Sequence, residues 1–223
     1  MNIKTSLRNW LGSLAFAVAL MPALPAFAQD ALMTELADIQ HGWDRASYQI
    51  PDSKDKQRQL ESLSTRSEAL ARKYPGRAEP LVWEGIVLSS YAGAKGGLGA
   101  LSLAKKSRDC LLEAAKIDPA ALQGSAYTSL GALYYKVPGW PVGFGDHDKA
   151  SEYLRKALEI NPNGMDPNYF IGELLYEQKD YSRSLQHLQR ALAAPARPDR
   201  PLADAGRRDE INVLVAKVRG KLE

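Results

Sequence analysis

The chain of 223 residues reads as an all-α protein, a solenoid of about three to four helix pairs finished by a C-terminal capping helix. Three observations predict it. Ala150, Leu154, Ala157 and Leu158 recur as Ser184, Leu188, Ala191 and Leu192, 34 positions further on. Leu130, Gly131, Tyr134 and Tyr135 recur as Ile171, Gly172, Leu175 and Tyr176, 41 positions further on. Alternating strand patterns are absent, while Ala, Leu, Glu and Lys dominate the periodic stretches, as amphipathic helices require.

A period of 34 is the length of one tetratricopeptide unit, a helix–turn–helix that buries small residues at fixed positions. The elements follow in order. Residues 1–28 carry Lys4 and Arg8 without an acid, an apolar run from Trp10 to Leu20, and Ala26-Phe27-Ala28 before Gln29. That is the pattern of an export signal cleaved after Ala28, and the apolar run is shorter than the roughly 20 residues a membrane span needs. No cysteine follows the site, so no lipid anchor is expected there. The mature chain is expected to be periplasmic.

Residues 29–80 read as N-terminal helices, a degenerate repeat, with helices near 31–48 and 54–74 ended by Pro75-Gly76. Residues 81–195 hold the repeats. The first unit has helices near 81–90 and 103–117, with Gly85 at the position of Gly131 and Gly172, where two helices pack closely. Between them 92–100 (AGAKGGLGA) holds four glycines in nine residues and reads as a loose inserted loop. The second unit carries seven extra residues within 137–144 (VPGWPVGF). Stacked repeats place both insertions on one edge of the solenoid. The third unit, 165–194, turns tightly at Gln178-Lys179-Asp180-Tyr181. Asp146 or Asp148 and Asp180 read as helix caps, and Asp166-Pro167 as a helix start. In the final unit, 196–223, Ile211, Leu214, Val215, Val218 and Leu222 form one stripe that caps the stack.

Charge narrows the function. Removing the signal leaves 27 basic against 26 acidic residues, too balanced for a nucleic-acid footprint. The basic tail (Arg197, Arg200, Arg207, Arg208, Lys217, Arg219, Lys221) is interleaved with Asp204, Asp209 and Glu210 and reads as a solvated helix face. Cys110 is the lone cysteine and reads as a buried structural thiol. No nucleophile motif, phosphate loop or paired-acid signature appears, so no catalytic residue and no cofactor is assigned. Asp146-His147-Asp148 suits helix capping better than metal binding, and no metal site is expected.

Binding residues are sought instead on the 137–144 loop. Pro138, Trp140 and Phe144 with flanking Asp146 and His147 form a stiff apolar segment over Tyr134 and Tyr135. The aromatics either plug a gap between helices or line a pocket. Asn168, Tyr169, Tyr176, Tyr127 and Tyr91 lie on first helices of units, the concave side of such a stack, where each serves packing or a ligand.

The segments GALYYKVPGWPVGFGDHDKASEYLRKA (131–157) and NPNGMDPNYFIGELLYEQKDY (161–181) resemble the T component associated with TRAP transporters. The likeness runs from about Gln40 to Pro195, and YYKVPGWPVGFGD is its most specific part. The chain is similar, more weakly, to tetratricopeptide proteins of the regulator-of-microtubule-dynamics type. The resemblance implies an exported helical bundle, a periplasmic solute-binding protein as partner and a central apolar ligand passage. The expected function is therefore an exported scaffold that binds a protein partner, in the manner of an accessory to a periplasmic solute transporter, or alternatively a carrier of a small apolar ligand.

Overall fold

The computed structural model describes residues 26–51 and 54–223. The expected export signal falls outside them except for its last three residues. Among the described residues the elements are α1 (Ala26–Tyr48), α2 (Lys54–Lys73), α3 (Ala78–Lys95), α4 (Gly97–Ile117), α5 (Ala121–Lys136), α6 (His147–Ile160), α7 (Met165–Glu177), α8 (Tyr181–Leu192) and α9 (Pro201–Leu222). Helices α3 with α4, α5 with α6, and α7 with α8 pack as antiparallel pairs. This is an all-α solenoid of paired helices.

Small residues set the pairing distance. A Cβ placed on Gly131 would stand 2.5 Å from Leu154 Cγ and 3.2 Å from the Ala150 carbonyl, so α5 and α6 touch backbone to side chain. Gly85 meets Leu111 at the same 2.5 Å, and Gly172 meets Leu188 at 2.9 Å. Ser107 and Ser184, at the position of Ala150, each donate a 2.7 Å hydrogen bond to the facing glycine carbonyl. A mid-helix glycine costs about 1 kcal/mol relative to alanine. The close burial of Leu111, Leu154 and Leu188 offsets it.

Caps then fix where the second helices begin. The Asp146 carboxylate accepts from the backbone N–H of Asp148 and Lys149 at 3.0 and 3.1 Å, and Asp180 accepts from that of Arg183 at 3.2 Å. Helix α7 differs from the expected start. Its cap is Gly164, and Asp166 lies inside the first turn, directed to a different task.

Two sequence expectations are corrected. The glycine-rich 92–100 segment is not a loop: α3 continues to Lys95, α4 begins at Gly97, and Gly96 alone separates them. The extra length of the first unit lengthens its two helices. The basic tail is not wholly solvated either. Arg207 is 8% exposed and Asp204 is buried on the stripe that carries Ile211 and Leu214, whereas Leu222 is exposed.

The solenoid turns back on itself. α9 packs on α8 and α7 and also on α1, the first described helix. Arg200 pairs with Asp44, His41 Nε2 lies 3.1 Å from the Asp199 carbonyl, and Gly206 lies against the Tyr48 ring. The two ends of the stack are therefore joined within one chain.

Candidate functional site

A cavity of about 700 Å³ occupies the inside of this closed turn. Helices α1, α3, α5 and α7 each contribute to it, as first helices of repeats do on a concave face. Ile86, Ala92, Ala132, Leu133 and Phe170 supply an apolar wall. Leu101 on α4 and Val137, Pro138 and Val142 on the inserted loop border another side. The loop and the start of α4 thus meet at one margin, where a Cβ on Gly143 would be 3.4 Å from Leu101 Cδ1.

Ser89, Ser90, Ser125 and Thr128 also line the cavity, and none offers it a proton. Each hydroxyl donates to a carbonyl of its own helix: Ser89 and Ser90 to Ile86 at 2.8 and 3.0 Å, Ser125 to Leu122 at 2.5 Å, and Thr128 to Gly124 at 3.4 Å. The Ser90 oxygen further accepts from the Trp43 indole N–H at 2.8 Å. What these four hydroxyls present to the cavity is lone pairs, while Ser129 also lines it.

The remaining wall is ionic. Asp166 accepts from Arg207 Nε and Arg197 Nη1, both at 2.9 Å. Arg197 Nε and its backbone N–H donate to the two oxygens of Asp204 at 2.6 and 2.7 Å, and Arg200 forks onto Asp44. Burial pushes the Asp166 carboxyl up, but Arg207, Arg197 and Arg200 outweigh it and hold it below the usual carboxylate range. Its side chain keeps 28% of its surface although it lies deep in the molecule, because that surface faces the cavity. Aromatic faces back the cations: Arg200 stands 5.0 Å from the Trp83 ring, and Arg207 4.8 Å from that of Phe170. Tyr48, lodged beside them, is pushed up to about 12 by burial and stays a neutral phenol.

The expected binding residues scatter. Pro138 lines the cavity. Trp140 is 90% exposed at the loop tip and points away from the interior. Phe144 folds back as a plug, edge-on to Tyr134 at 5.4 Å and under Arg108 at 4.7 Å. Tyr134 stacks on Tyr153, Tyr135 donates to Glu173, and Tyr176 tilts against Tyr181. None of these three tyrosines reaches the cavity. Tyr169 is buried on Phe170. Asn168 is fully buried, donating to the Pro162 and Gly164 carbonyls and meeting His187 at 3.0 Å, which makes it a strut of the α6–α7 turn. Asp146 is a cap and His147 is exposed.

The loop that holds Pro138 and Val142 at the margin is fixed by its own backbone. Gly145 N–H donates to the Pro138 carbonyl at 2.9 Å, and Asp146 N–H to that of Tyr134 at 2.8 Å. Only glycine fits at 145, where a Cβ would come within 1.9 Å of the Val137 carbonyl.

Sequence reasoning missed the ionic wall. One signal was present: Arg207 stands four residues before Ile211 and seven before Leu214, on the apolar stripe itself. Among the described residues no group of three or more His, Cys, Asp or Glu side chains could hold a metal ion, and no helix is long and apolar enough to cross a membrane. Cys110 is half-buried beside Glu84, and burial followed by that carboxyl pushes its thiol up to about 12. Iodoacetamide at neutral pH should therefore label folded protein more than about a hundredfold slower than a free thiol, with full labelling after denaturation. Rapid labelling of the native state would contradict this environment.

A tetratricopeptide repeat family model matches residues 142–205, which run from the inserted loop into α9. The fold is that of a tetratricopeptide-repeat protein. The chain is similar to the solved structure of a thermophilic tetratricopeptide protein from Thermus thermophilus, at 14% identity and a TM-score of 0.56, over 87% of this chain and 93% of that one. A structure of Pseudomonas aeruginosa pilF aligns at 16% identity and a TM-score of 0.37, over 87% and 92%. No curated protein matches the chain in sequence. The repeats here wrap around the cavity described above.

Proposed function

We propose that the protein is a non-enzymatic, exported binding scaffold that carries a small, largely apolar ligand inside its closed tetratricopeptide turn. The cavity of about 700 Å³ carries this reading. Its volume lies within the range of about 300–1,000 Å³ found for small-molecule sites. The contact of α1 with α9 also sets the ionic wall at the concave face along which an open repeat scaffold would lay a partner helix. The test is extraction of protein purified from its own host without denaturant, with mass spectrometry of the organic phase. An apolar molecule should be recovered at near-equal molar amount, and stripped protein should regain about 2.7 kcal/mol when that molecule returns at a hundred times its Kd. Protein that yields nothing, and whose melting no extract raises, would refute the carrier.

A second reading concerns the loop tip. Trp140 is 90% exposed on a backbone-braced loop, an arrangement suited to burial by another protein. The likeness of Tyr134–Asp146 to the T component of TRAP transporters supports a periplasmic solute-binding protein as that partner. In this reading Trp140→Ala leaves helix content intact and removes the solute-binding protein from affinity eluates. Undiminished co-elution would exclude the tip.

A further inference from the structure

We propose that the ligand's polar head is an uncharged hydrogen-bond acceptor, a carbonyl such as that of an ester, amide or ketone, seated against Trp83, Arg197, Arg200 and Arg207. This rests on the carrier reading and names the class of ligand. The inference comes from which hydrogen-bonding groups remain open around the ionic wall.

Each of its carboxylate oxygens already accepts a hydrogen bond. Both oxygens of Asp44 are taken by Arg200, those of Asp166 by Arg207 and Arg197, and those of Asp204 by the Arg197 side chain and backbone N–H. The donors are in surplus. Nη2 of Arg197, Nη1 of Arg200 and Nη2 of Arg207 are left without an acceptor among the described residues. The Trp83 indole N–H is buried with no acceptor either, and Trp83 lines the cavity next to Arg200. A buried donor is almost always paired in folded proteins, so the Trp83 N–H, with three open guanidinium nitrogens on the same wall, marks where an acceptor is to be supplied.

The charge of the wall decides between a carbonyl and a carboxylate. Three guanidinium groups face three aspartates, and Glu210 is paired to Arg207 at 2.5 Å. Among the described residues of this wall no positive charge is left to offset a buried anion, whereas a carbonyl takes up the N–H groups without adding one. An ammonium head would bring three more donors, and a further positive charge, to a wall whose open groups are guanidinium N–H donors. The apolar remainder of the ligand then runs along Ile86, Leu133 and Phe170.

Calorimetry on stripped wild-type protein with methyl decanoate, decanoate, decylammonium and decane tests the assignment. Methyl decanoate should bind about tenfold tighter than decane, with decanoate and decylammonium both weaker than the ester. Trp83→Phe keeps an aromatic ring, loses some core packing and deletes the N–H, so its folding is checked by circular dichroism and its ester-over-decane advantage should fall by about tenfold. Decane binding as tightly as the ester would overturn the head assignment and leave the carrier standing, as would an ester advantage untouched by Trp83→Phe. Decylammonium or decanoate binding more tightly than the ester would also overturn it. Absence of binding by all four probes would remove the carrier reading itself.

Discussion

Asp166→Ala is expected to lower the unfolding free energy by about 3–5 kcal/mol, the cost of leaving buried charge without its partner. Asp166 receives Arg197 and Arg207 together, so its loss strands both guanidinium groups and unfastens α7 from α9 at once. Urea titration followed by circular dichroism checks the size. The pH dependence has a definite sign. The folded Asp166 carboxyl is held below its ordinary value, so its contribution is complete above about pH 4 and disappears as pH falls through the lower folded value. Wild-type stability should therefore fall more steeply in acid than that of Asp166→Ala. Parallel acid profiles would mean that Asp166 contributes nothing through its charge.

Leu154→Ala is the second large effect, at about 2–5 kcal/mol. Leu154 is fully buried and lies directly beneath Gly131, so shortening it opens a void at the closest point between α5 and α6. Gly131→Ala alone is expected to destabilise as well, because its Cβ would stand 2.5 Å from Leu154 Cγ and the gain in helix propensity cannot relieve that contact. The two changes together should cost less than their sum, by about 0.5–3 kcal/mol, since the alanine methyl enters the space the leucine vacates. Strict additivity of the melting free energies would show that the glycine is there for some other reason.

The repeat was readable because its determinants are local and recur. Leu154 and Leu188, Gly131 and Gly172, and the caps Asp146 and Asp180 each state the same requirement in successive units. The 92–100 stretch misled because propensity is a weak prior against packing. Only Gly96 and Gly97 use a positive φ there, and Ala92, Ala100 and Ala104 join the same core cluster, which carries helix through the remaining glycines. The candidate site was legible only in part. Pro138 belongs to its margin, but the ionic wall joins Asp44 to Arg200, 156 positions away, and no window along the chain contains both. The loop aromatics separated along an irregular path: Phe144 turns inward onto Tyr134, and Trp140, four residues earlier, is left exposed at the tip.

The joining of α1 to α9 changes how the stack should come apart. An open array of repeats frays from its termini, each unit leaning on its neighbours alone, and so passes through partly unravelled states. Here the outermost helices lean on one another, through contacts whose entropy of closure spans most of the chain. A terminal unit cannot peel away without also undoing the opposite terminus, which makes the whole circle a single cooperative unit.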